Sequence, residues 1–185
     1  MTVDNFMLNK EDAVLLIIDI QERLVPAMKE KDTVVKNCQH LIELAKMYNI
    51  PVIVTEQYPK GLGKTVPELQ SALAEYKPIE KSSFGCCGEP AFMTEIKKIG
   101  RKKVIVTGME THVCVLQTVM GLLKDGFVPH LVKDAVCSRN EENRNVGIEF
   151  MRDAGAVVTC TETVLFQLLK AAGSEEFKKV SQRIK

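Results

Sequence analysis

VIVTGMETHVCVLQTVMGLL, residues 104–123, joins two hydrophobic periods in a single stretch. Val104 to Thr107 is a short β-branched run. From Thr111 to Leu123 the apolar residues recur at steps of three and four, so a strand passes through Gly108 into a helix. The same unit is legible on both sides of this stretch. Further apolar runs lie at residues 13–18, 52–55, 128–132 and 156–159, with a weaker one at 78–81, and the segments 34–48, 91–99, 141–154 and 163–171 carry helical spacing. Stop signals follow the helical segments: Asn49 before Ile50-Pro51, then Gly100, Gly126, Gly155 and Gly173. Most of the runs are nearly continuous in Val, Ile and Leu, the pattern of strands covered on both faces. Right-handed crossovers place helices on both sides of such a sheet. The expected fold is therefore an α/β, three-layer α/β/α sandwich with a six-stranded, mainly parallel sheet in the order 3-2-1-4-5-6, formed by one domain over residues 1–185.

Composition narrows the function. The chain has 185 residues, 45% of them apolar, enough for one core. Its formal net charge is +1 with charges spread along the chain, so there is no basic field to hold a phosphate backbone. Zero Trp and 5% aromatics also leave few stacking platforms for single strands. These features predict a small-molecule partner and neither nucleic acid nor membrane. The apolar run from Ala13 is broken by Asp19 and preceded by acidic residues, unlike a signal peptide or a span. Six cysteines without CxxC spacing predict reduced thiols and a cytoplasmic protein. The segment 56–69 (EQYPKGLGKTVPEL) is expected to be the main irregular loop, and residues 174–185 a charged helix or a loose tail.

Three strand ends carry candidate chemistry. Asp19 follows VLLII and is costly to bury without a partner; it reads either as an N-cap for the segment beginning at Gln21 or as a base. Cys114 falls in the expected first turn of a helix, where the macrodipole and free N–H groups favour a thiolate and can bind an oxyanion; the alternative is a packed structural cysteine. Lys81 follows the third strand among neutral residues, and its default reading is a solvated lysine. All three project to the carboxyl edge of the sheet, with strands one and four flanking the switch point. His112 is two residues from Cys114, too far round a helix to pair with it. His40 and His130 lack partners at metal-ligand spacing. Gly63-Lys64-Thr65 resembles the end of a phosphate loop but has Tyr58 where glycine belongs, and no GxGxxG follows the first strand. The adjacent Cys86 and Cys87 read as two thiols in a turn, with a strained redox pair as the weaker alternative.

LLIIDIQ, EKSSFG and VTGMETHVCVLQT together resemble the isochorismatase-like cysteine hydrolases, and TEQYPKGLGKTVPEL is similar to the small isochorismatase-domain proteins without an assigned substrate. The resemblance implies Cys114 as nucleophile, Asp19 as the base that takes its proton, and Lys81 as the cation holding both charges. It implies a cis peptide between Met109 and Glu110, with the Glu110 and Cys114 N–H groups as the oxyanion hole. Metal-dependent nicotinamidases carry Asp-x-His after the second strand, where this chain has Gln57-Tyr58-Pro59, so no metal and no cofactor are expected. Cys114 likewise argues against vinyl-ether hydrolysis, because isochorismatases proper lack a cysteine there. The implied function is hydrolysis of a C–N bond in a small amide, carbamoyl or ureide substrate through a thioester. The alternative is a catalytically silent binding or scaffold protein that keeps a reactive thiol. Leu24, Tyr58 and Phe84 are the candidates to wall the substrate cleft, with core packing as the alternative for each, and the resemblance implies a homo-oligomer.

Overall fold

A computed structural model describes residues 2–184. Six strands form one sheet: β1 (Ala13–Ile18), β2 (Val52–Gln57), β3 (Ile79–Lys81), β4 (Lys103–Met109), β5 (Val128–Cys137) and β6 (Val157–Thr159). Their order is β3-β2-β1-β4-β5-β6, and every adjacent pair is parallel. The helices are α1 (Lys31–Met47), α2 (Pro59–Leu62), α3 (Pro67–Ala72), α4 (Pro90–Ile99), α5 (Leu116–Lys124), α6 (Glu141–Asp153), α7 (Thr161–Leu169) and α8 (Glu175–Arg183).

The central strand shows why the chain needs three layers. All six residues of β1 are buried, and strand geometry sends alternate side chains to opposite faces. Ala13, Leu15 and Ile17 join a core completed by α1, α7 and Val180 of α8. Val14, Leu16 and Ile18 join the other, completed by Phe92 and Ile96 of α4, Val119 and Leu122 of α5, and Ile148 and Met151 of α6. Gly108 permits a close approach of β4 to β1. It pairs with Ile18, has φ +130°, and a Cβ there would stand 2.1 Å from the Ile18 carbonyl oxygen.

β2 and β5 outrun their sequence signal through polar residues, buried in β2 and exposed or part-buried in β5, that replace the apolar pattern. β5 continues through Lys133-Asp134, because the Asp134 carboxylate accepts the Thr161 N–H (2.7 Å) and hydroxyl (2.9 Å) at the start of α7. β2 continues into Glu56 and Gln57. The Glu56 carboxylate accepts the Thr65 N–H (2.6 Å), the Thr65 hydroxyl (2.9 Å) and the Tyr76 hydroxyl. The expected irregular segment 56–69 therefore contains the end of β2, the single turn of α2 and the start of α3. Glu56 clasps it from below, while Gln21 donates to the Gly63 carbonyl at 2.7 Å and bridges Thr65. The carboxy-terminal stretch is helical, its first turn capped by the Ser174 hydroxyl.

Candidate active site

Asp19 stands one residue past β1 with φ +52°, a left-handed conformation that aspartate tolerates better than most side chains. Its carboxylate is fully buried. Oδ1 accepts the Thr55 hydroxyl at 2.7 Å, and Oδ2 lies 2.7 Å from Lys81 Nζ. It caps no helix: the Glu22 and Arg23 N–H groups turn instead to the carbonyls of Lys64 and Leu62. The Lys81 contact is an ion pair without hydrogen-bond alignment, so Oδ2 has no directed donor among the described residues.

Lys81 ends β3, two strands from β1, and pairs in register with Gln57 of β2. Its stem crosses the end of β2 to reach Asp19, and its side chain has no exposed surface. The ammonium also donates to Gln57 Oε1 (2.6 Å), the Phe84 carbonyl (2.9 Å) and the Ser83 carbonyl (3.2 Å). Gln57 is itself aimed by its bonds: its Nε2 donates to Ser82 at 2.9 Å, and its N–H donates to Gln21 Oε1 at 2.8 Å. Sequence reading missed both glutamines as parts of the site. The one available signal was their position at strand ends beside Asp19 and Lys81.

Cys114 lies in a π-helical turn, Thr111–Val115, that runs into α5. The expectation of an ordinary first helical turn is corrected here. The Glu110 carbonyl accepts from the N–H groups of both Val113 (3.1 Å) and Val115 (3.2 Å), and the second bond widens the turn. The Met109–Glu110 peptide is cis. The thiol is 6% exposed and stands beside the Asp19 carboxyl. Thr118 locks the turn, donating to the Cys114 carbonyl at 2.6 Å while accepting the Cys86 N–H at 3.0 Å.

The charges follow from burial and proximity. Desolvation pushes the Asp19 carboxyl up, opposed by the Lys81 charge. Desolvation is the largest influence on Lys81 and pulls it down, but the neighbouring Asp19, Cys114 and Cys86 together outweigh it and hold the ammonium above its ordinary range. Desolvation, reinforced by Asp19, pushes the Cys114 thiol up to about 12. The sulfur therefore rests as S–H. This departs from the thiolate expected from the helix start, because a 6% exposed sulfur beside a carboxylate loses more than the helix terminus returns.

The remaining candidates fall outside this trio. His112 Nδ1 meets the Ser138 hydroxyl at 3.0 Å. The Glu110 carboxylate pairs with Arg139, accepting its N–H at 2.9 Å and its Nε at 3.2 Å. Leu24 packs partly buried against the α1 side of the core. Tyr58 and Phe84 are exposed, at 60% and 53%. Cys86 is buried beside Thr55, Cys87 lies against Thr118 and Gly121, and all six cysteines are free. Among the described residues no group of three His, Cys, Asp or Glu side chains could hold a metal ion. A cavity of about 1080 Å³ between α1, the start of β2 and α4 includes none of the trio.

A doubly wound sheet with an acid, an amine and a thiol meeting at its switch point describes a class of α/β enzymes. The Isochorismatase domain family matches residues 13–163, and the chain belongs to the isochorismatase family, a family of hydrolases. It is 36% identical to Isochorismatase family protein 1A of Dictyostelium discoideum over 94% of this chain and 86% of that one. It is 38% identical to the Secreted isochorismatase effector Isc1 of Phytophthora sojae, over 94% and 84%. Among solved structures, the MAR1 Ribonuclease of Caenorhabditis elegans superposes with a TM-score of 0.89 at 39% identity, covering 96% of this chain and 92% of that one. YcaC of Escherichia coli, described as an octameric hydrolase of unknown specificity, does so with 0.90 at 27% identity, over 96% and 90%. YcaC of Pseudomonas aeruginosa, solved with hexane-2,5-diol and covalent acrylamide, does so with 0.91 at 26%, over 99% and 93%. No helix among the described residues is long and apolar enough to cross a membrane.

Proposed function

We propose that this chain is a cysteine hydrolase that cleaves the C–N bond of a small amide, carbamoyl or ureide substrate. The observation that carries the reading is the convergence of Asp19, Lys81 and Cys114, three buried groups from three strand ends, with one carboxylate oxygen left without a directed donor. As the sulfur adds to the carbonyl carbon, Asp19 Oδ2 takes the thiol proton. The N–H groups of Glu110 and Cys114 receive the oxyanion. Asp19 then returns the proton to the departing amine, leaving a thioester on Cys114. Water, deprotonated by Asp19, splits the thioester, and the proton ends on the sulfur as the carboxylic product leaves. Lys81 donates no proton in this scheme. Its N–H bonds are directed at fixed acceptors, and its charge keeps Asp19 ionised enough to act.

The covalent acrylamide in the Pseudomonas YcaC structure supports the reading, since acrylamide is both a thiol-directed electrophile and a primary amide. Assembly with copies of itself is supported by the octameric Escherichia coli relative, and a reducing, cytoplasmic setting by the six free thiols. The test is a hydrolysis panel of primary amides, carbamoyl amines and ureides read by amine or ammonia release. The wild-type chain turns over at least one class, and Cys114→Ala folds but is inactive; undiminished turnover by that variant removes the proposal. Acrylamide labelling of Cys114 without turnover of any class would favour the silent binding protein. RNA cleavage, suggested by the name of the Caenorhabditis relative, is tested in parallel with single-stranded RNA. A chain of net charge +1 with its cation buried under Asp19 offers little to a phosphate backbone.

A further inference from the structure

Tyr58 is held in a conformation that costs free energy, and it is held there from several sides. It follows β2 directly, with φ +38° and ψ +64°, a left-handed geometry that bulky side chains rarely adopt. Its N–H donates to the Lys81 carbonyl at 2.9 Å, and its own carbonyl accepts the N–H groups of Gly61 and Leu62 at 2.8 and 3.0 Å. Its ring lies over Gly61 so closely that a Cβ at that position would stand 2.5 Å from Cδ1. Gly61 in turn is tied down by Arg23, whose Nη1 donates to its carbonyl at 3.0 Å. The outcome of this scaffolding is a tyrosine that remains 60% exposed.

A second exposed ring is mounted as firmly on the other side of Lys81. The Phe84 carbonyl accepts the buried ammonium at 2.9 Å. The next residue, Gly85, packs on Gln117, one helical turn past Cys114, and a Cβ there would meet the Gln117 Cβ at 3.1 Å. The Cys86 N–H then reaches the nucleophile turn through Thr118. Phe84, 53% exposed, is thus anchored between the cation and the nucleophile helix.

We propose that Tyr58 and Phe84 form an aromatic clamp that selects substrates whose amide nitrogen or acyl group carries a flat apolar substituent. This deepens the hydrolase reading and rests on it. Both rings stand on fixed backbone at the carboxyl edge that holds Cys114, so a flat group bound there loses little freedom that the protein has not already given up. Contact with two large rings is worth about a tenfold preference.

Labelling of Cys114 by acrylamide and by N-phenylacrylamide tests the clamp without a known substrate. Rates are read by peptide mass spectrometry on the whole chain, and each is divided by the reagent's rate with glutathione. In the wild-type chain the normalised ratio favours the phenyl reagent about tenfold. Tyr58→Ala and Phe84→Ala each lower that ratio several-fold, and the double variant brings it near one. Gly61→Ala, which displaces the Tyr58 ring without removing it, lowers it as well. Equal normalised labelling of the wild-type chain by both reagents overturns the clamp alone, as does a ratio that survives in the double variant. A fall in assembled mass in either single variant with no change in ratio also overturns it, because the rings then belong to an interface between copies. Failure of both reagents to label Cys114 faster than the half-buried Cys160 overturns the hydrolase reading and the clamp with it.

Discussion

Lys81→Met removes the positive charge in contact with Asp19 while keeping most of the apolar stem. The ammonium lies 2.7 Å from Asp19 Oδ2 with both side chains fully buried, and it also serves Gln57 Oε1 and two carbonyls. Breaking a buried ion pair by deleting one partner costs about 3–5 kcal/mol. The acceptors left without a donor add to that loss only in part, because they can close on one another. We expect a deficit of about 4 kcal/mol at pH 8, a large share of the stability of an ordinary domain. The sign of its pH dependence follows from linkage. Burial already raises the Asp19 carboxyl above 3.8, and Lys81 is the largest opposing influence. In the variant the carboxyl is raised further, so the folded chain binds a proton that the unfolded chain has lost. The deficit is therefore small near pH 4, grows as pH climbs through the raised folded value, and then levels. Urea unfolding of both chains between pH 4 and 9 measures it, below the range where Lys81 itself titrates. Asp19→Asn combined with Lys81→Met should recover much of the loss. A deficit that is the same at every pH, or a double variant no better than Lys81→Met alone, would refute the view of Asp19 as a charge held by Lys81.

Two further outcomes follow from other parts of the structure. Gly108→Ala forces a Cβ to within 2.1 Å of the Ile18 carbonyl at φ +130°, so β1 and β4 cannot keep their register, and the variant should be recovered unfolded or aggregated by circular dichroism and size exclusion. His130, buried by β5 with Nε2 unpartnered, is pushed down to about 4 by desolvation and by Lys103. The unfolded chain binds its proton first, so wild-type stability falls as pH drops from about 6.5 towards 4, by at most about 3 kcal/mol from this group; His130→Leu should flatten that slope in acid urea titrations.

Much of the fold is legible without coordinates, because burial on two faces leaves an unmistakable signal. Runs such as Ala13–Ile18 and Val104–Thr107 show where strands lie, and the helical spacing between them forces crossovers. The strand ends that hydrophobic pattern leaves out share one cause. Glu56, Gln57, Lys133 and Asp134 are polar residues inside strands, and a period built on hydrophobicity registers only their polarity. What stabilises them is a partner distant in sequence: Thr65 and Tyr76 for Glu56, Gln21 for Gln57, Thr161 for Asp134.

By itself, the sequence determines which side chains stand at which strand ends, since strand direction and crossover handedness follow from local pattern and chain chirality. That placed Asp19, Lys81 and Cys114 on one rim. Only the tertiary structure decides that Lys81 crosses β2 instead of entering water, that Gln57 and two carbonyls orient its ammonium, and that Cys114 rests protonated. Those outcomes depend on how much water each group loses and which charge it meets in exchange, and neither quantity exists until the layers close around the site.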